Sequence, residues 1–285
     1  MIKKKFIINF SLILFSVFIT LYILEIFLKI YYDNTISCLT NRELKEKKSI
    51  RFGYNYDKRF IYEYAKDLKL KTSFGNTPKS FIIKKNKNEI NLPFLPLSSY
   101  SNERIYLCNE TGEHSFFTSD RYGFNNPNNE WDQKEVEYLL VGDSFVQGEC
   151  VNRPNDITSV LRTLSNKSAL NLGYGGNGPL LQYAGLREYL SKKVNKVVWV
   201  YFEGNDLINL NNELESRILN YYLDNQNFSQ DLKNKQKKID DINNFNIEKE
   251  FKRLKERNFS NKLNILKLSK VRTTLYNYVP EKYKP

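Results

Sequence analysis

Three apolar segments constrain this chain more than any other feature. Each closes on a glycine- or amide-rich turn, and helical periodicity separates each from the next. Tyr138-Leu-Leu-Val141 runs into Gly142-Asp-Ser-Phe145, and Ala169-Leu-Asn-Leu172 runs into Gly173-Tyr-Gly-Gly-Asn-Gly178. Lys196-Val-Val-Trp-Val-Tyr-Phe202, β-branched and aromatic, runs into Glu203-Gly-Asn-Asp206. Between the first two, Ile157, Val160, Leu161 and Leu164 fall at helical spacing behind Asp156, which predicts a capped helix to Ser165. Between the second and third, Leu181, Ala184, Leu186, Tyr189 and Leu190 predict another from Leu180 to Lys192. The pattern β-α-β-α-β implies parallel strands with crossover helices. Ligands then bind outside the strands' carboxyl ends, where all three turns fall.

Ser144 follows Gly142 at the end of the first strand, so a sharp turn can expose its hydroxyl. Gly-Asp-Ser, a glycine in Asn171-Leu-Gly-Tyr-Gly-Gly176, and Gly204-Asn205-Asp206 occur in that order. Together they resemble the SGNH hydrolases, also called the GDSL-like lipase and esterase superfamily, and in longer phrasing their membrane-anchored bacterial members. The resemblance covers roughly residues 137–209. The third block is one residue shorter than the family's Gly-x-Asn-Asp, and the family's carboxyl-terminal Asp-x-x-His has no counterpart here.

The resemblance implies a three-layer α/β/α fold with a parallel, flavodoxin-like sheet. It also implies catalytic roles for Ser144, Gly176 and Asn205. Ser144 would be the nucleophile. The N–H groups of Ser144 and Gly176 and the Asn205 amide would face the oxyanion, each donor worth ~2.7–4 kcal/mol. The implied activity is ester hydrolysis, or a related acyl transfer, on an acylated cell-surface glycan or lipid, without cofactor or metal. The alternative is a non-catalytic module that binds a glycan or protein partner. The lesser readings from the residues alone are Ser144 as an N-cap, Gly173–Gly178 as a plain loop or a phosphate-cradling turn, and Asn205 and Asp206 as turn formers; the glycine run lacks a Lys-Ser/Thr ending, which argues against nucleotide binding. Asp143 reads as the cap that orients the turn.

A serine needs a base, and the chain has one histidine, His114, upstream of the nucleophile strand. The family's base follows the serine, so His114 reads as a hydrogen-bonded loop residue. With no base, and with Val197 to Phe202 as an exposed edge where the implied fold has an internal strand, the sheet reads as incomplete at its carboxyl end. The expectation is therefore a chain that is not a competent hydrolase as it stands.

The amino terminus sets the expected location. Lys3, Lys4 and Lys5 precede an uncharged run from Phe6 to Leu24, which as a helix spans about 28 Å. This reads as an uncleaved signal anchor over residues 1–32, with the rest outside the cytoplasm. Glu25 and Lys29 would snorkel to the far interface, beside Tyr22, Tyr31 and Tyr32. A signal peptide is the competing reading. Residues 33–136 read as an accessory region, with a strand at Phe81-Ile-Ile83, an extended Leu92–Leu97 and a turn over Ser119–Pro127. Residues 137–285 read as the hydrolase-like domain, with a core to 209 and then a polar helical insertion. Leu210, Leu214, Ile218, Leu219 and Tyr222 would form one stripe, and Gln230 to Arg257 a solvated helix or a flexible insertion.

The net charge of +12 is spread out. No Arg-aromatic cluster points to nucleic acid, and weak attraction to anionic lipid heads or acidic glycans stays open. Of three cysteines, Cys108 and Cys150 flank the nucleophile strand and are the favoured pair over any with Cys38. Oligomeric state is not readable.

Overall fold

A computed structural model describes residues 2–35, 41–57, 59, 61–73, 76–86, 92–110, 112–190, 193–262, 268, 271–272 and 274–275. The protein is mixed α/β, and the chain divides into two units, residues 1–44 with 251–285 and residues 45–250. Cys38 and the tail from Tyr276 to Pro285 lie outside the described residues.

The first unit contains helix α1 (Ile2–Thr35), whose apolar stretch Asn9–Leu28 is long enough to cross a membrane. Within it the Ser16 hydroxyl donates to Ile13 O and the Thr20 hydroxyl to Ser16 O. Glu25 does not reach outward as expected. It is 1 % exposed and accepts the Val271 N–H at 2.8 Å. The side chains of Lys29, Tyr31 and Tyr32 lie outside the described residues.

Helix α2 (Asn41–Arg51) leads into the second unit, where α3 (Ile61–Asp67), β1 (Lys71–Thr72) and α4 (Pro78–Asn86) follow. The expected strand at Phe81–Ile83 is instead part of α4. Pro78 opens that helix and the Thr77 hydroxyl accepts the Ser80 N–H, so local start signals outweigh the strand preference of Phe81, Ile82 and Ile83. Leu92–Leu97 forms no strand and bends at Pro93 and Phe94, and Phe94, Leu95 and Leu97 are buried.

Strands β2 (Arg104–Asn109) and β3 (His114–Thr118) pair antiparallel, and β1 joins β2 in parallel to complete a first sheet. This sheet had no counterpart in the sequence reading. A disulfide between Cys108 and Cys150 ties β2 to the chain beyond the next sheet's first strand.

The second sheet is parallel, in the order β5-β4-β6, from β4 (Val136–Val141), β5 (Ala169–Asn171) and β6 (Val194–Trp199). Leu139 and Val141 pack with Leu180, Leu181 and Ala184 of α7 (Pro179–Tyr189). Leu140, between them in sequence, joins Val146, Ala169 and Leu161 of α6 (Ile157–Ser165) in a separate cluster. This is the period-2 alternation of a strand carrying apolar residues on both faces. Asp156 caps α6 by accepting the Ser159 N–H at 3.0 Å. The helix is as expected, but most of its apolar stripe is uncovered, with Leu164 81 % exposed.

The two edges of this sheet differ. At β5 the outward groups are all taken by side chains. Ala169 N–H donates to Glu130 Oε2 and Ala169 O accepts from Arg162 Nε, at 3.1 and 2.8 Å. Asn171 N–H donates to Asn126 Oδ1 at 2.7 Å, and Asn171 O accepts from Asn126 Nδ2 at 2.9 Å. Asn126 is held by Asp120, which also accepts from Trp131 Nε1 and the Tyr122 and Phe124 amides. The 119–127 turn thus does lead into the core, as a polar clamp. At β6 the consecutive residues Val197, Val198 and Trp199 are 43 %, 37 % and 44 % exposed, so both faces are left partly open, although the Trp199 indole N–H donates to Gln182 Oε1 of α7.

After β6 come α8 (Asp206–Glu213), α9 (Arg217–Asp224) and α10 (Gln236–Lys262). The expected continuous stripe is split between α8 and α9, and Leu214 is exposed at the break. The start of α10 is not a solvated run. Ile239, Asn243, Asn246, Ile247 and Glu250 are buried. Asn243 O accepts from Tyr100 Oη and Asn76 Nδ2, and Glu250 pairs with Lys84 at 2.7 Å.

Candidate functional site

The site starts from a tightly packed glycine. A Cβ on Gly142 would lie 2.4 Å from Val146 Cγ2 and 3.0 Å from Val200 O. The chain therefore turns tightly off β4 into the single-turn helix α5 (Ser144–Gln147). Asp143 caps that turn, accepting the Phe145 N–H at 3.0 Å. Ser144 is its first residue and is half-buried, and its Oγ makes no hydrogen bond among the described residues.

The loop after β5 lies against this turn. A Cβ on Gly173 would meet Gln147 N at 2.4 Å, and one on Gly175 would meet Ser144 Cβ at 3.9 Å. The Gly175 N–H donates to Gln147 Oε1 at 2.8 Å. Gly176 has φ +79°, the left-handed region that glycine tolerates best. Its surroundings are open, with Lys79 Cδ the nearest atom, 4.0 Å from where a Cβ would sit.

After β6, Asn205 is the N-cap of α8, and its side-chain amide sits beside Asp143. Burial pushes the Asp143 carboxyl up and the negative Asp206 nearby adds to that, while the Phe145 N–H and Asn205 hold it down. Asp206 is fully buried and accepts the Phe202 N–H at 2.9 Å. Ser144, the Gly175–Gly176 turn and Asn205 thus follow the carboxyl ends of three adjacent parallel strands. Asp143 Oδ2, Asn177 Oδ1, Asn205 Oδ1, Asp206 Oδ1 and Asn209 Nδ2 are buried there without a hydrogen bond within the described residues.

Two neighbours were not anticipated. Glu213, at the end of α8, accepts the N–H groups of Gly178, Leu180 and Leu181 at the start of α7. Burial raises its pKa to about 7 against those donors and against Lys79. Lys79, from α4, donates to Asn209 Oδ1. Neither carries a sequence signal, because both act across elements distant in the chain.

His114 is placed elsewhere. Its Nδ1 lies 3.2 Å from Tyr106 Oη, its Nε2 lies 3.9 Å from Asp57 Oδ2, and its ring stacks on Tyr64 at 3.9 Å. Burial lowers its pKa despite Asp57. No group around Ser144 is among these partners. Comparison with family models, with curated proteins and with solved structures found no match.

Proposed function

We propose that this chain carries the nucleophile and oxyanion groups of an SGNH-type serine ester hydrolase, acting on an acylated cell-surface glycan or lipid. In this reading α1 is a single-pass anchor with the site on the extracytoplasmic side, and the β5-β4-β6 sheet belongs to a flavodoxin-like, three-layer fold. The supporting observation is the convergence at one sheet edge. Ser144 has a hydroxyl with no hydrogen bond among the described residues, the glycine loop is bonded to its turn through Gln147, and an asparagine stands beside its cap. Ser144 would attack the acyl carbon. The N–H groups of Ser144 and Gly176 and the Asn205 amide would receive the developing charge. Loss of the hydroxyl proton is the difficult step, since the one histidine in the sequence is bonded elsewhere.

That last fact favours a second reading, a module that binds the acylated ligand without turning it over. One experiment separates the two. The chain in detergent is treated with a fluorophosphonate, and Ser144→Ala is run beside it. Labelling that maps to Ser144 and vanishes in the variant supports the hydrolase. No labelling of a folded protein, with binding of an acylated saccharide retained, supports the module. Labelling that persists in Ser144→Ala removes Ser144 as nucleophile.

A further inference from the structure

A pocket of about 520 Å³ lies away from Ser144, lined by Phe94, Arg217, Tyr221, Phe228, Gln230 and Lys235 together with Pro93 and Ile218. Its volume is that of a small-molecule site, and it shares no lining residue with the turns around Ser144. Two features define what would fit it.

The first is charge. Arg217 and Lys235 both line the pocket, no carboxylate does, and neither cation forms an ion pair among the described residues. The nearby carboxylate, Glu188, is turned inward. It accepts from Tyr222 Oη, Ser229 Oγ and the Gln230 and Leu232 amides, so its capacity is spent. Arg217 Nε donates to Tyr221 Oη at 2.9 Å, which holds the guanidinium in place and leaves its terminal nitrogens for a planar anion. Lys235 donates to Gln230 O.

The second is ring surface. The Tyr221 and Phe228 rings are 5.4 Å apart, and Phe94 stands under Lys235 at 5.7 Å. Gln230, the polar residue between them, is already committed to the Leu95 backbone and to Tyr222 Oη. It shapes the floor and is not waiting for a ligand.

We infer that this pocket binds a ring-bearing carboxylate, with Arg217 and Lys235 holding the carboxylate and Tyr221, Phe228 and Phe94 receiving the ring face. An acidic sugar and an aromatic acid share that chemistry, and the test separates them. The full chain in a neutral detergent is titrated calorimetrically with digalacturonate, with 4-hydroxybenzoate and with neutral digalactose. The expected result is binding of at least one acid and of no digalactose. Affinity should fall at least about tenfold in Arg217→Gln/Lys235→Gln, and should weaken as salt rises. Which acid binds assigns the ligand to the saccharide or the aromatic class. Arg217→Gln alone, at an exposed position, serves if the double variant does not fold. The inference is overturned if neither acid binds, if digalactose binds as well as digalacturonate, or if the charge variants bind the acid as tightly as the parent. Ser144→Ala should leave the titration unchanged, so the result stands apart from the fate of the hydrolase reading.

Discussion

Glu213 accepts the Gly178 N–H at 2.6 Å, so the last residue of α8 neutralises the first turn of α7. Burial nevertheless keeps its pKa at about 7, above the ordinary 4.5. A group raised on folding gives its full stabilisation below the unfolded pKa and loses it as pH rises through the folded one. The parent should therefore lose stability relative to Glu213→Gln between about pH 4.5 and pH 7. Thermal melts of both proteins across that range check this, and parallel curves would contradict it.

His114 acts in the opposite sense. Its pKa is depressed below 6.5 by burial, so the fold disfavours its protonated form. Its contribution is complete above about pH 6.5 and is lost as pH falls through the folded value. Replacing it in His114→Gln should abolish that acid-side loss, seen as a shallower decline in urea midpoint as pH falls below about 6.5 relative to the parent.

The Cys108–Cys150 bond closes a separation of 42 residues. On the chain-entropy account a loop of that size is worth about 4 kcal/mol. Cys108→Ser should lower stability by that order in oxidising buffer and change nothing further when reductant is added. Denaturant unfolding with and without dithiothreitol measures both.

Two glycines near Ser144 should respond differently to alanine. At Gly173 the new Cβ would meet the Gln147 backbone at 2.4 Å, which has no flexible end to give way. At Gly176 there is room, and the cost is the left-handed backbone alone, about 1–2 kcal/mol. Gly173→Ala should be the more destabilising of the two in urea titrations.

Asn126→Ala should cost about 2–3 kcal/mol, because it strands the Asn171 N–H and C=O in a buried place. Hydrogen exchange at Asn171 should accelerate more than at Leu170, whose strand pairing to β4 is untouched.

The parallel sheet and its turns were legible because each strand is apolar and each turn carries its own signal. Asp156 announced α6, and Asp143 announced the cap over Ser144. What stayed hidden is held by polar contacts between distant segments. Strand β2 is buried from Ile105 to Asn109 without alternation, so no period betrayed it. Helix α10 buries Asn243, Asn246 and Glu250 against Asn76, Tyr100 and Lys84, and polar residues read in isolation resemble a solvated face. Glu213 and Lys79 reach the site from elements whose spacing says nothing about the third dimension.

Asn126 has a consequence for how this sheet can grow. One side chain presents Asn171 with the same donor and acceptor that a neighbouring strand would, and Glu130 and Arg162 do so for Ala169. A strand arriving at β5 would find every main-chain hydrogen-bonding position there already taken. Any extension of the sheet, from whatever source, therefore proceeds in one direction only, outward from Val197, Val198 and Trp199.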